Sequence, residues 1–419
     1  MSKGRCYVGL DIGSSEIRAV IAQEVSGEET LRVVGVGSAP SSGMRKGVVV
    51  DAEGVAKTCN IALEQAERMA GHAAEHVVVS LSGTEIVCQD ASGVVAVGRA
   101  DSEVVEDDVA RANEEVHARF PLPLNREIIH VIPKEYRLDD QKNIKNPIGM
   151  RGVRLEVSAL VISGSTVHLK NITRSLELAG TNAESFVVEP LACAEAVLSA
   201  RQKELGTVLV NIGGSTTSIA VFEDGDLLHL SVFPVGSTHI TNDIAIGLRT
   251  SIEVAESVKL QFGSALPEEI HKKEEIDLSL FDAQDDAIVS RRHVAEIIEA
   301  RFDEILSYVN AELKTIGREG LLPGGVVFCG GGALLPGAIE RAKKTLRLPV
   351  QIGYPKTLGG ILDQVDTPQF ATVIGLLLLA QSNHSNRQSF TAQKALAIVP
   401  EGVHTVIGKI KQWSKQFLP

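Results

Sequence analysis

The sequence predicts an α/β fold in which two duplicated α/β domains face each other across a cleft, with a small domain inserted into the first. Three observations carry this. A Gly/Ser/Thr hairpin turn occurs twice, about two hundred residues apart: residues 7–23 read YVGLDIGSSEIRAVIAQ, and residues 207–227 read TVLVNIGGSTTSIAVFEDGDL. Apolar strand-like runs alternate with helix-like stretches through most of the chain, the pattern of sheets covered by helices. Residues 85–161 interrupt that alternation with a charged helical stretch at 102–120, a Pro-Leu-Pro turn at 121–123 and the phrase RGVRLEV.

The turns come first. Each copy is an apolar strand, a polar residue at its end, a turn and a second apolar strand. Glycine lets the backbone approach a bulky anion. Consecutive turn N–H groups can form an anion-binding nest, to which hydroxyls add donors. Gly13, Ser14 and Ser15, and Gly213, Gly214, Ser215 and Thr216, are therefore the candidate phosphate binders. Asp11 ends the first strand, where a carboxylate suits a hydrated Mg²⁺. Either copy alone reads as an ordinary surface hairpin; two matching copies favour one ligand held from both sides. Neither a G-x-x-x-x-G-K-[ST] loop nor a G-x-G-x-x-G fingerprint is present.

Strands are expected at 76–81, 155–162, 185–188, 208–211 and 325–329, and helices at 52–71, 166–179, 191–205 and 293–317. A third nucleotide element follows at 326–346, VVFCGGGALLPGAIERAKKTL, with its helix at 336–346. Gly330, Gly331 and Gly332, with the following Ala333, either bring the backbone close to adenine and ribose or make a tight turn packed for steric reasons. Glu256 and Lys259 lie three apart on one helical face, as ribose ligands or as a solvated surface pair.

Composition sets the bounds. A chain of 419 residues carries a soft expectation of two to four domains, and 44% hydrophobic content supports sizeable cores. A net charge of -12 speaks against a general nucleic-acid binder. Five cysteines without a C-x-x-C pair read as buried thiols in a reducing compartment. No signal peptide is visible, and the longest apolar run, 371–380, is about half the length needed to span a bilayer. A cytoplasmic protein is expected. Residues 381–402 are mostly polar and read as a linker.

The last segment, VHTVIGKIKQWSKQFLP, places Val406, Ile407, Ile410, Trp413 and Phe417 at helical spacing, with Lys409, Lys411 and Lys415 beside them. An aromatic apolar face flanked by lysines suits a helix lying in the surface of an anionic membrane. A terminal helix docked on the body is the other reading of the same residues.

Taken together, GLDIGSSEIRAVI, RGVRLEV, VVEPLACAEAVL, LVNIGGSTTSIAVFEDGDL, FPVGSTHITNDIA, VFCGGGALLPG and TPQFATVIGLLLLA resemble, in order and over nearly the whole chain, the FtsA family of bacterial cell-division proteins within the actin-like ATPase superfamily. The resemblance implies an ATP- or ADP-binding protein with Mg that polymerises on the inner face of the membrane. It further implies tethering of the tubulin-like FtsZ by its C-terminal tail, and contacts with other division proteins. It implies domains at 1–84 with 163–200 and 350–380, at 85–162 for the small insertion, and at 201–349, with partner binding at about 250–320. A linker at 381–402 and a membrane helix at 403–419 complete the division. Arg291, Arg292 and Arg301 are the candidate cations for the FtsZ tail. Glu189 matches the family's glutamate near the γ-phosphate and is the candidate to orient an attacking water. Asn211 and Ser218 stand where related proteins usually carry Asp, and Gly236-Ser237 replaces a glycine pair. Asn211 can reach Mg²⁺ through water but adds no charge, so weak or absent hydrolysis is expected. A pilus-assembly actin homologue and a metabolic kinase of the same superfamily are the alternatives.

Overall fold

The structure, a computed structural model, describes residues 4–25, 30–98, 101–283, 285, 287–356, 358–361 and 363–393. The chain opens with β1 (Cys6–Ile12), β2 (Glu16–Glu24), β3 (Leu31–Pro40), the hairpin β4 (Met44–Arg45) and β5 (Val48–Val49), α1 (Ala52–Ala70) and β6 (His76–Leu81). The insertion follows: β7 (Val87–Ala96), α2 (Glu106–Arg119), β8 (Arg126–Leu138), β9 (Gln141–Ile144) and β10 (Arg154–Ser165). The first lobe resumes with α3 (Thr166–Leu178), β11 (Asn182–Val188) and α4 (Glu189–Val197). The second lobe holds α5 (Ala200–Leu205), β12 (Thr207–Ile212), β13 (Thr217–Glu223), β14 (Asp226–Phe233), α6 (Ser237–Leu248), α7 (Ile252–Phe262), β15 (Glu275–Asp277) and β16 (Ile288–Ser290). It continues through α8 (Arg291–Thr315), β17 (Gly325–Cys329), α9 (Ala338–Leu346) and β18 (Val350–Ile352), before β19 (Gly359–Gly360) and α10 (Ala371–Gln393) return to the first.

The two lobes repeat one sheet. The first runs β11-β6-β1-β2-β3-β19 and the second β18-β17-β12-β13-β14. In the first, Ile12 pairs with Ile17 and Asp11 with Arg18; in the second, Ile212 pairs with Thr217 and Asn211 with Ser218. Each hairpin has a parallel neighbour, β6 beside β1 and β17 beside β12. β12 and β17 are buried at every residue, as strands covered on both faces must be. The main core joins the first sheet to α4, α10 and one face of the second sheet through Leu209, Ala220 and Phe222. The opposite face of the second sheet packs on α8 and α9.

The insertion is an antiparallel sheet of order β7-β10-β8-β9. Val109, Ala112 and Val116 of α2 cover one face, against Tyr136 and Val157. Ile132, Leu160 and Ile162 on the other face enter the main core. Arg126 donates to the carbonyls of Glu85 (2.7 Å) and Ser163 (2.8 Å), tying together the two ends of the insertion. The sheet also meets the second lobe, where Lys145 pairs with Asp226 at the start of β14.

Several expectations are corrected. The helix expected over 191–205 is two helices, because Ser199 and Gln202 form a capping box: Ser199 Oγ accepts from Gln202 N (3.2 Å) and Gln202 Oε1 from Ser199 N (2.9 Å). The helix expected from 336 starts at Ala338, after a short 3-10 turn over Gly331–Leu334. β18 pairs with β17, so residues 350–352 extend the second sheet rather than the first lobe. α10 continues to Gln393 through the polar stretch expected to open a linker at 381; Gln, Ser and Asn lower helix propensity mildly, and no Gly or Pro follows Gly375 before its end. The segment 403–419 lies outside the described residues. Among the described residues, no helix is long and apolar enough to cross a membrane.

Candidate functional site

The two hairpin turns meet between the lobes. A side-chain carbon built on Gly214 would fall 1.9 Å from Ser15 Oγ, so the second turn passes directly over the first. The start of α6 braces the second turn: Ser237 N and Thr238 N donate to the carbonyls of Gly213 (2.9 Å) and Gly214 (2.8 Å). Ser14 Oγ accepts from Gly47 N at 3.1 Å. Beneath the turns lies a cavity of about 360 Å³. Asp11, Gly13, Ser14 and Ser15 line it from the first lobe with Glu189, and Asn211, Gly213, Gly214 and Thr216 from the second. Glu256, Lys259, Gly330, Gly331 and Gly332 complete its far side.

Two expected residues are not part of this lining. Ser215 keeps its hydroxyl buried without a hydrogen-bond partner. Ala333 turns into the core beneath the second sheet, because the 3-10 turn carries it under β12.

The floor is a cluster of buried polar groups. Ser80 Oγ donates to Asp11 Oδ1 at 2.7 Å and accepts from Ile12 N at 3.0 Å. Glu189 opens α4, and its Oε1 accepts from Asn211 Nδ2 at 2.6 Å, while its Oε2 is buried with no hydrogen-bond partner. Burial, and then the Asp11 carboxylate, push the Glu189 carboxyl up to about 8 against the opposing Asn211 amide and Ser218 hydroxyl. Burial likewise raises Asp11, against Arg18 and Ser80, which favour its charged form. Two carboxyl groups have thus lost water without full compensation, the environment a cation or a proton satisfies. Among the described residues no three His, Cys, Asp or Glu side chains converge as a metal cage. Mg²⁺ keeps several waters and needs one or two carboxylates beside phosphate oxygens, so Asp11 and Glu189, with the neutral Asn211, fit it.

Arg18 was not foreseen from the sequence. It stands opposite Asp11 in register, pairs with Glu16, and lies 5.4 Å from the Phe370 ring centroid at the cleft wall. The signal was the turn length: with residues 13–16 as the loop, Arg18 must face Asp11.

In the Glu256–Lys259 pair, Lys259 is largely buried while the Glu256 side chain stays partly exposed. Glu256 Oε2 accepts from Lys259 Nζ (2.6 Å) and Thr241 Oγ1 (2.5 Å), and Lys259 Nζ also reaches Ser237 O (3.4 Å), which links α7 to the brace of the second turn. Of the three glycines, two are set by packing: side-chain carbons on Gly330 and Gly332 would lie 2.3 Å from Asn211 Oδ1 and from Ile212 Cγ2. Gly331 meets nothing closer than Gln369 Nε2 at 3.5 Å and is the one left open toward the cavity.

The three arginines stand apart from the cleft and are engaged within the chain. Arg291 pairs with Glu274 (2.6 Å), and Arg292 with Glu296 (3.5 Å). Arg301 forks onto Asp243 (2.6 and 3.0 Å) and pairs with Glu304. Val406, Ile407, Ile410, Trp413, Phe417 and the tail lysines lie outside the described residues.

Residues 208–375 match the family model "Cell division protein FtsA", and residues 83–163 match "SHS2 domain inserted in FTSA". The chain is 38% identical over 383 residues to Cell division protein FtsA of Bacillus subtilis, covering 91% of this chain and 85% of that one. It is 34% identical over 413 residues to that of Pseudomonas aeruginosa (99% and 98% covered) and 33% over 421 residues to that of Escherichia coli K12 (98% of each). Among solved structures, a chain of the PilM-PilN type IV pilus biogenesis complex superposes with a TM-score of 0.65 at 18% identity, covering 89% of this chain and 97% of that one. MreB5 of Spiroplasma citri bound to ADP gives 0.52 at 15% identity, covering 92% and 98%. With its repeated sheets and inserted antiparallel sheet, the chain belongs to the FtsA family of cell-division proteins, built on the actin-like ATPase fold with an SHS2 domain inserted.

Proposed function

We propose that this cell-division protein binds ATP or ADP with Mg²⁺ in the cleft, polymerises at the inner face of the cytoplasmic membrane and anchors FtsZ filaments there during septum formation. The observation that carries the reading is the contact of the two turns at Ser15 and Gly214, above Asp11 and Glu189. The turn N–H groups, with the hydroxyls of Ser14, Ser15 and Thr216, surround phosphate oxygens. Glu256, Lys259 and Gly331 border the nucleoside end. Mg²⁺, when bound, supplies charge neutralisation between the phosphates and the carboxyl floor. Asp11 and Glu189 would hold its water shell, and Asn211 would contribute hydrogen bonds without charge. Glu189 orients the attacking water, but its proton affinity and its bond to Asn211 favour slow turnover. Titration of the purified protein with Mg-ATP and Mg-ADP tests this; no saturable binding of either refutes it.

The FtsZ tail is assigned to the region of about 250–320, by resemblance. Arg292 has the longest of the three arginine pairings, which leaves it the best placed to exchange Glu296 for a peptide carboxylate. Titration with an FtsZ tail peptide is expected to weaken with Arg292→Glu. The identities of 33–38% to named FtsA proteins favour division over the pilus and kinase readings.

A further inference from the structure

The first residue of α4 is Glu189, and the residue before it, Val188, is the helix N-cap. Valine has no side chain that can cap, and α4 has no side-chain cap. Val188 also ends β11, the edge strand of the first sheet, so its outward N–H needs a partner from another element. His130 of the inserted sheet supplies it: Val188 N donates to His130 Nε2 at 3.1 Å. His130 is 2% exposed and sits in β8 opposite Ile162 of β10, on the part of the insertion that packs into the main core. Because Nε2 accepts, the imidazole carries its proton on Nδ1. Burial pushes its pKa down to about 3, so the neutral acceptor persists at physiological pH.

One hydrogen bond and one peptide unit thus lead from the insertion to Glu189, beside the covalent route through Ser82 and the packing of Ile132, Leu160 and Ile162 in the main core. Glu189 then reaches across to Asn211 on the second lobe at 2.6 Å. The other ties of the insertion act elsewhere: Arg126 closes its base, and Lys145 holds the β13–β14 turn. Loss of the His130 acceptor leaves a buried N–H unpaired at the foot of α4, and the first turn must move to find a partner.

We propose that His130 is a positioning residue for Glu189, holding the start of α4 so that the inserted domain and the cleft carboxyl move as one unit. This rests on the reading of the cleft as a nucleotide site. A load on the insertion, from a partner or a neighbouring copy, is transmitted to that site through this bond.

The test uses full-length protein and two readouts. Hydrogen exchange on the peptide containing Val188, without nucleotide, is expected to accelerate about tenfold in His130→Leu, with α1 unchanged. His130→Gln, which carries an acceptor near the position of Nε2, restores slow exchange. The preference for Mg-ATP over Mg-ADP is expected to change about tenfold in His130→Leu, to recover in His130→Gln, and to be unaffected by His130→Leu when Glu189→Gln is already present. Should His130→Leu fail to fold, His130→Asn withdraws the acceptor while keeping a polar side chain. Unchanged exchange at Val188, or an equal nucleotide effect in both Glu189 backgrounds, overturns the inference. Altered exchange in a protein that takes no nucleotide overturns the reading of the cleft instead.

Discussion

The Glu189 carboxyl holds its proton at neutral pH, where an exposed glutamate has lost it. Its folded pKa, about 8, exceeds the ordinary glutamate value of 4.5, so between those values the folded state binds the additional proton. Stability then falls as pH rises through that window, by about 1.4 kcal/mol per unit as an upper bound. Burial shifts Asp11 in the same direction. Glu189→Gln, which cannot ionise, is expected to melt at a higher temperature than wild type at about pH 8.5 without nucleotide, and to show a flatter dependence between about pH 5 and pH 9. Thermal denaturation across that range checks it; parallel curves would refute the assignment. Asn211→Asp acts oppositely. It removes the donor to Glu189 Oε1 and adds a carboxyl to a buried pair, and is expected to cost about 1–3 kcal/mol without cation. Mg²⁺ should raise its melting temperature more than that of wild type, and phosphate release should increase. Robust wild-type turnover, unchanged by the substitution, would show that Asn211 does not limit hydrolysis. At this scale the turns were legible because glycine and hydroxyl residues flank alternating strands. Ser215 and Ala333 were not, since which members of a turn face a ligand depends on the lobe opposite. The state of Glu189 was not legible either, because burial is a property of the closed cleft.

Helices α4 and α10 form the crossing through which the lobes are joined. A side-chain carbon on Gly375 would sit 1.8 Å from the Ala192 carbonyl oxygen, so the helices touch backbone to backbone. Nearby, Cys193 Sγ and Thr372 Oγ1 are 3.2 Å apart. Gly375→Val must separate the helices, and overpacking of this kind costs about 1–3 kcal/mol, occasionally more. Because the crossing lies behind the cleft, the variant is also expected to lose part of the stabilisation that saturating Mg-ATP gives wild type. Chemical denaturation with and without nucleotide separates these effects; a variant as stable as wild type would show that the crossing tolerates displacement. The same elements mark where sequence reading reached and where it stopped. The β1–β2 and β12–β13 hairpins were legible as paired apolar runs on either side of a Gly/Ser/Thr turn. The break between α4 and α5 was visible in principle as the Ser199–Gln202 capping pair, but the apolar pattern runs past it. The assignment of β18 to the second sheet depends on pairing with β17, which no local pattern reveals.

At the scale of the whole molecule, the proposed attachment would bring a chain of net charge -12 to a membrane whose inner surface is also negative. On that reading the tail would answer the repulsion locally: Lys409, Lys411 and Lys415 follow the last acidic residue, Glu401. Burial of Val406, Ile407, Ile410, Trp413 and Phe417 in lipid would stabilise the proposed attachment by about 1.5–3 kcal/mol per fully buried large side chain, before the cost of ordering the segment. Lysines at an anionic surface add about 1 kcal/mol each. A helix formed by this segment on lipid would lose about 1 kcal/mol at Gly408, so folding and binding are expected to be coupled. On the proposed reading, the balance would give reversible attachment of one molecule. A filament would present many tails at once, and each bound tail would raise the effective concentration of the next. Attachment should therefore strengthen under conditions that promote filaments, without any change in the tail. Deletion of 403–419, or Trp413→Glu, is expected to abolish flotation with anionic vesicles and leave Mg-ATP affinity in solution unchanged. Wild type should float with anionic vesicles and far less with neutral ones, and more completely with nucleotide than without. Flotation of the truncated protein with lipid would mean that the body, not the tail, meets the membrane.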